Sequence, residues 1–343
     1  MLEIYRFEAG RTMTARVAPD AIAPDAMWID AISPSPAEIH AIEALCSIEL
    51  PSKEDMREIE VTSRLYSEDG ADFMTASVGF GQHEGQPSFA PVTFILAGER
   101  LVTIRYTEPK SFALFAAKLC REAPGDAEAL AALAGQETGK RSRGPSADSV
   151  LIGLLEAVID RIADMLEGIA ADLDQIGSDI FAASSNKRPT GTADFKELLR
   201  RLGSAGDLSS KARESLAIFD RMMPFLQITL DRRKPLKETK ARVKAMARDV
   251  QSLNDFVSFL SNKTTFLLDT TVGMISIEQN GIIKIFSVAA VGFMPPTLVA
   301  SIYGMNFHFM PELDWPFGYP FALGLMLISA VVPLVFFRYK RWL

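Results

Sequence analysis

The chain has 343 residues, 48% hydrophobic and 23% charged, with a formal net charge of −7 at pH 7. The acidic balance argues against nucleic acid as a partner. Two cysteines, Cys46 and Cys120, are too few and too far apart for a disulfide framework or a zinc knuckle, and three histidines make no imidazole-based metalloenzyme site.

Residues 1–123 read as an α/β domain. Alternating or β-rich runs at 2–7, 14–17, 72–80, 92–97 and 101–106 predict strands, and 36–46, 52–60 and 111–122 predict helices. The pair VTFIL and LVTIRY, joined by a short turn containing Gly98, predicts a hairpin. Residues 124–147 form a connecting segment, opened by Pro124-Gly125 and polar from 135 to 146. Within it, Gly135 to Lys140 is one residue short of a phosphate-binding loop and lacks a preceding strand. His83-Glu84 lacks the second histidine of a zincin helix.

From Asp148 onward the pattern is helical. Residues 148–233 predict a helical hairpin layer, broken at 184–192 (SSNKRPTGT). Residues 234–303 predict one stalk helix: after Pro235, a favourable first helical residue, no proline follows until Pro295. Gly273, Gly281 and Gly292 lower helix propensity without forbidding it. Such a helix is roughly 100 Å long at 1.5 Å per residue and cannot bury its apolar face alone, so copies of the chain should pack together.

Residues 285–302 and 315–337 contain no ionisable side chain. Each can span a bilayer as a helix, which takes about 20 residues, and their position excludes a cleavable signal peptide. The first span is placed at about 282–303, inside the stalk helix. The loop 304–314 holds Glu312 and Asp314 but no Lys or Arg. Lys284 precedes the first span, and Arg338, Lys340 and Arg341 follow the second in the tail 338–343. Positive residues stay on the cytoplasmic side, so both termini are predicted inside. Trp315 and Tyr319 at one end, and Tyr339 and Trp342 at the other, fit aromatic belts. Setting aside those four positive and two negative residues leaves −9 on the rest, a balance compatible with cations.

The run from Met274 to Leu343 resembles the CorA magnesium transporters. It carries IEQN at 277–280, PPTLVASIYGMNF at 295–307, MPEL at 310–313 and FGYP at 317–320. The resemblance implies a homopentameric funnel in the bacterial inner membrane, with an α/β cytosolic domain, a long all-α stalk and two C-terminal spans around a central pore. It implies uptake of Mg²⁺, with Co²⁺ and Ni²⁺, and no enzymatic activity or organic cofactor. Partners would be other copies of the chain, membrane lipid and divalent ions.

Magnesium holds its waters tightly and prefers octahedral oxygen coordination. A ring of neutral oxygens can hydrogen-bond to those waters and still release the ion. Asn306 offers an amide oxygen, and Gly304 and Met305 offer carbonyls, so the resemblance makes Gly304, Met305 and Asn306 the entrance filter. It makes Asn280 and Thr297 polar pore rings and Ile283, Phe286 and Met294 apolar constrictions, which can gate by dewetting. Glu312 and Asp314 would raise the local cation concentration outside. Lys284, Arg338, Lys340 and Arg341 would form a basic collar at the inner mouth.

His308 departs from the family, where Glu commonly follows, and offers a ligand suited to transition metals. In CorA-like proteins cytosolic magnesium holds the pore shut. Here Glu156, Asp160, Asp164 and Glu167 share a helical face, and Asp249, Asp255 and Asp269 lie on the stalk. Glu156, Asp160, Asp164, Asp249, Asp255 and Asp269 are the candidate regulatory ligands, with ion-paired or solvated surface as the alternative. Residues 232–248 carry eight basic groups against Glu238 and do not match acidic stalks of some members. Two other readings stand beside magnesium uptake: a zinc transporter of the related ZntB branch, and a two-span anchored receptor or enzyme.

Overall fold

The computed structural model describes residues 1–8, 11–58, 60–81, 87–121, 145–185, 192–233, 237–305, 310–311 and 315–340. The chain divides into two compact units: Met1–Gly177 with Arg200–Phe266, and Ser178–Leu199 with Leu267–Leu343.

The first unit is built on a seven-stranded sheet. Its strands are β1 (Leu2–Glu8), β2 (Arg11–Val17), β3 (Trp28–Ile32), β4 (Leu65–Glu68), β5 (Ala71–Phe80), β6 (Ser88–Ala97) and β7 (Arg100–Arg105), in the order β2-β1-β3-β7-β6-β5-β4. All neighbours are antiparallel except β3 and β7. The expected β6–β7 hairpin is present: Ala97 faces Arg100 across Gly98-Glu99, and Gly98 takes φ +58. A glycine with positive φ at the first turn position matches the twist of the flanking strands. Asp69-Gly70 makes the β4–β5 turn with both residues at positive φ, +49 and +77.

Both faces of the sheet are covered. On one, Ile29, Ala31, Val102, Ile104, Ile95 and Phe73 form a core with Ile42 of α1 (Pro36–Cys46). Helix α1 starts with a capping box, in which Ser35 and Glu38 each accept the other's backbone N–H. On the other face Trp28 stacks on Tyr5 at 4.2 Å and approaches Phe112 and Phe115 of α3 (Lys110–Arg121). Trp28 Nε1 donates to Thr103 Oγ1 (3.0 Å), which donates to Asp30 Oδ1 (2.7 Å). The Arg105 guanidinium grips both Asp30 oxygens. Burial pushes the Asp30 carboxyl above its ordinary range, with Arg105 and Thr103 opposing. The helix expected over 52–60 is instead a 3-10 turn at Asp55–Arg57 followed by the four-residue α2 (Val61–Arg64). Ser52 and Asp55 there exchange side-chain and backbone hydrogen bonds, which compete with a longer helix.

Three long helices follow: α4 (Ala147–Ser185), α5 (Thr192–Arg232) and α6 (Lys237–Tyr303). Their buried residues keep a three-four spacing, as in Leu202, Ala205, Ser209, Ala212, Leu216, Phe219, Met223, Leu226 and Leu230 of α5. In α6 the same rhythm runs through Val243, Met246, Val250, Val257 and Leu260. That period is the spacing of a helix-packing seam. Helix α6 has 67 residues, close to the expected span 234–303, and passes through Pro295 and Pro296 without ending. The second unit also holds α7 (Gly318–Tyr339). Of the expected break at 184–192, Ser184 and Ser185 still belong to α4 and Thr192 opens α5; residues 186–191, Pro235 and the polar stretch 135–144 lie outside the described residues.

Candidate functional site

The lower part of α6 and the whole of α7 are long and apolar enough to cross a membrane, and only 6% of each apolar window is buried by the chain itself. Along the first span, Val288, Gly292, Pro295, Val299 and Tyr303 of α6 are buried or half-buried. A Cβ on Gly292 would lie 3.7 Å from Leu334 of α7, and Ala322 of α7 is buried. At about 100° per residue these five positions fall within roughly 80° of the helix circumference. Each proline withholds an N–H from the carbonyl four residues back, a loss that neighbouring helices make tolerable in a membrane.

The predicted pore residues lie on the other side of α6. Ile283 is 61% exposed, Phe286 71% and Met294 68%, and Thr297 is also exposed. These four occupy a second sector of roughly 80°, centred about 180° from the first. Asn280, also exposed, sits about 80° to the side of that centre. Thr297 Oγ1 donates to the Phe293 carbonyl at 2.8 Å, so its remaining lone pairs face outward. Helix α6 ends as Gly304 N donates to Ala300 O (2.9 Å) and Met305 N to Ile302 O (3.2 Å). A Cβ at position 304 would stand 3.1 Å from the Ala300 oxygen, a tight fit that favours glycine. Lys284 on α6, with Arg338 and Lys340 at the end of α7, is exposed. Asn306, His308, Glu312, Asp314 and Arg341 lie outside the described residues.

The family model for CorA-like Mg²⁺ transporter proteins matches residues 24–341. The chain belongs to this family. It is 34% identical over 322 residues to the magnesium transport protein CorA of Wolinella succinogenes, covering 92% of this chain and 91% of that one. It is 31% identical over 343 residues to that of Escherichia coli K12, with both chains fully covered. Among solved structures, the complete CorA magnesium transporter of Methanocaldococcus jannaschii aligns with a TM-score of 0.70 at 16% identity, covering 100% of this chain and 99% of that one. Full-length CmaX aligns at 0.60 with 16% identity, covering 99% and 97%. The structural likeness speaks for the fold, and the sequence relatives and family model carry the function. This is a CorA-type magnesium transporter, not an enzyme. It is an inner-membrane protein with two C-terminal spans and a cytoplasmic N-terminal domain, and Mg²⁺ is its transported ion.

In this CorA-family chain the candidate regulatory acids do not form one cluster. Glu156 is engaged by Arg242, whose Nε and Nη2 donate at 2.9 and 2.6 Å. Asp164 pairs with Arg161 at 2.8 Å. Asp160 stands between them beside a cleft of about 390 Å³ lined by Phe115, Lys118, Glu156, Asp164 and Arg242. Partial burial raises its carboxyl above the ordinary range, and Glu156, Asp164 and Asp249 raise it further against Lys118. Asp249, Asp255 and Asp269 are exposed on α6. Among the described residues no three His, Cys, Asp or Glu side chains converge to hold a metal within one chain. Sequence reasoning missed how the basic stretch is used. Arg232 pairs with Asp72, Arg233 with Asp148 and Lys240 with Asp231, each at 2.7 Å, and Arg242 with Glu156. These partners come from the sheet, α4 and α5, so spacing along the chain could not reveal them.

Proposed function

We propose that copies of this chain assemble in a ring, as a pentamer, with the free face of the first span lining a central pore. The observation that carries this reading is that the chain itself leaves most of the first span uncovered, with Ile283, Phe286, Met294 and Thr297 among its exposed residues. Apolar constrictions with a polar ring suit a water-lined path that closes by dewetting. Gly304, Met305 and Asn306 follow directly and select hydrated Mg²⁺, with Co²⁺ and Ni²⁺ also admitted. Asn280 adds a polar ring toward the cytosol. Glu312 and Asp314 attract cations outside, and Lys284, Arg338, Lys340 and Arg341 form a basic collar that also anchors the spans in lipid. A divalent ion crossing 100 mV gains about 4.6 kcal/mol, or on the order of 10³ in accumulation, so entry needs no other energy source. Cytosolic Mg²⁺ restrains the pore through Asp160 and its neighbours Glu156, Asp164 and Asp249, with Asp255 and Asp269 lower on the stalk.

The test is Mg²⁺ entry into liposomes with an inside-negative potential, comparing wild type with Asn306→Ala. Potential-dependent entry in the wild type alone is the expected result. Zinc entry under a proton gradient without magnesium flux would move the protein to the ZntB branch. Flux of neither ion would replace the pore with an anchored receptor.

A further inference from the structure

In the first unit, cations find carboxylates: Arg232 takes Asp72, Arg233 takes Asp148 and Lys240 takes Asp231. Three at the inner ends of the spans do not. Lys284 of α6, with Arg338 and Lys340 of α7, is exposed, and among the described residues these side chains form no hydrogen bond or ion pair. The carboxylate closest to Lys284 along α6, Glu278, is six residues back and roughly 120° round the helix. Lys284 also lies inside the apolar band rather than beyond it, because Ile282, Ile283, Ile285 and Phe286 on either side of it are exposed. A cation at that depth lays its stem along apolar surface and turns its head to the headgroup layer.

Two of the three converge. Successive spans run antiparallel, and Gly292 of α6 stands against Leu334 of α7. Arg338, four residues beyond Leu334, is therefore level with about Val288, and Lys284 lies one turn further, roughly 6 Å along the helix. Arg338 sits roughly 40° round α7 from Leu334, and Lys284 roughly 80° round α6 from Gly292. Each is thus within a quarter turn of the line where the helices approach. A phosphate between them accepts from both, from the guanidinium as a fork and from the ammonium as a point charge.

We infer that the inner end of this seam holds the phosphate of an anionic phospholipid, with Lys284 and Arg338 as its donors and Lys340 adding to the attraction. The exposed Val335 and Phe336, one turn or less from Arg338 toward the membrane, lie at the level of its acyl chains. A headgroup without an ammonium suits the site, since an ammonium would add to the positive charge already in excess there. This deepens the basic collar proposed above and rests on that reading, though not on the ring assembly.

The experiment measures lipid retention by the full-length protein in a non-ionic detergent, using native mass spectrometry with phosphatidylglycerol or phosphatidylcholine added. The wild type should hold phosphatidylglycerol about thirtyfold more tightly, the ratio that two cations near an anionic headgroup supply. Lys284→Gln with Arg338→Gln should bring the two lipids level, and Lys284→Arg with Arg338→Lys should keep the preference. Lys244→Gln with Arg248→Gln, on the stalk well away from the spans, should also keep it. Equal retention of both lipids by the wild type would overturn the site. So would a loss of preference as large in the stalk variant, since net charge and not this seam would then attract the lipid. Displacement of phosphatidylglycerol by millimolar inorganic phosphate would replace the lipid with a free anion. A monomer that keeps the preference would overturn the ring and leave the lipid site standing; an intact oligomer without it would do the reverse.

Discussion

The two units of this chain solve opposite burial problems with similar residues. In the first, Trp28, Phe73, Phe94 and Phe219 are almost wholly removed from solvent by the chain itself. In the second, Ile283, Phe286, Phe293 and Met294 stay exposed on a helix just as regular. The first unit draws its stability from apolar area buried on folding. The second leaves its apolar area uncovered by the chain itself, as two membrane spans would. Side chains in the core of the first unit therefore answer to stability, whereas those exposed on the second do not owe their place to packing within the chain.

The sharpest way to break that contrast is at Asp30. Its carboxylate holds the buried Arg105 guanidinium on both oxygens and accepts from Thr103. Asp30→Ala strands a buried cation, and such losses cost about 3–5 kcal/mol. Thermal unfolding of the purified protein should shift strongly downward. An unchanged melt would mean that the buried network contributes little to the first unit.

Phe286→Ala is the matching change in the second unit. An exposed side chain away from packing changes stability by about 0.5 kcal/mol or less, so the melt should hardly move. Mg²⁺ entry into liposomes should change several-fold if Phe286 lines the proposed constriction. A large fall in stability with normal flux would place Phe286 in helix packing instead, and would remove it from the pore.

How much of this was legible depends on where each residue's partners lie. The spans, the 67-residue helix and the β6–β7 hairpin rest on local pattern, and local pattern is what a sequence displays. Strand β3 was not expected. Trp28–Ile32 is buried at all five residues and has an aspartate in the middle, so it shows no alternation, and its ion-pair partner is 75 residues away. Strand β4 was missed although Asp69-Gly70 is a strong hairpin signal, because the run before it is only four residues long. At the candidate site the GMN run stands in the sequence itself, whereas Ile283, Phe286, Met294 and Thr297 are pore candidates through the family resemblance. The pairing of Glu156 with Arg242 could not, and it takes one named acid out of the regulatory set unless Mg²⁺ displaces the arginine.

Asp160 gives the smallest expected effect and the finest test of the contrast, because it belongs to the first unit yet its three acidic neighbours outnumber the one cation, Lys118, that opposes them. Its folded-state carboxyl is raised above the ordinary value by partial burial and by Glu156, Asp164 and Asp249. A raised acid is protonated more readily when folded, so its ionised form costs stability. That cost is full above the folded pKa and disappears below the unfolded one, so stability should rise as pH falls through that window. Asp160→Asn should remove this component of the pH dependence and stabilise the magnesium-free protein slightly at neutral pH. The gain should be about 0.5 kcal/mol or less, since the group is largely solvent-screened. Mg²⁺ should raise the melting temperature of the wild type more than that of Asp160→Asn. Equal shifts in both proteins would mean that cytosolic Mg²⁺ acts elsewhere on the stalk, at Asp255 or Asp269, where the like-charge crowding around Asp160 plays no part.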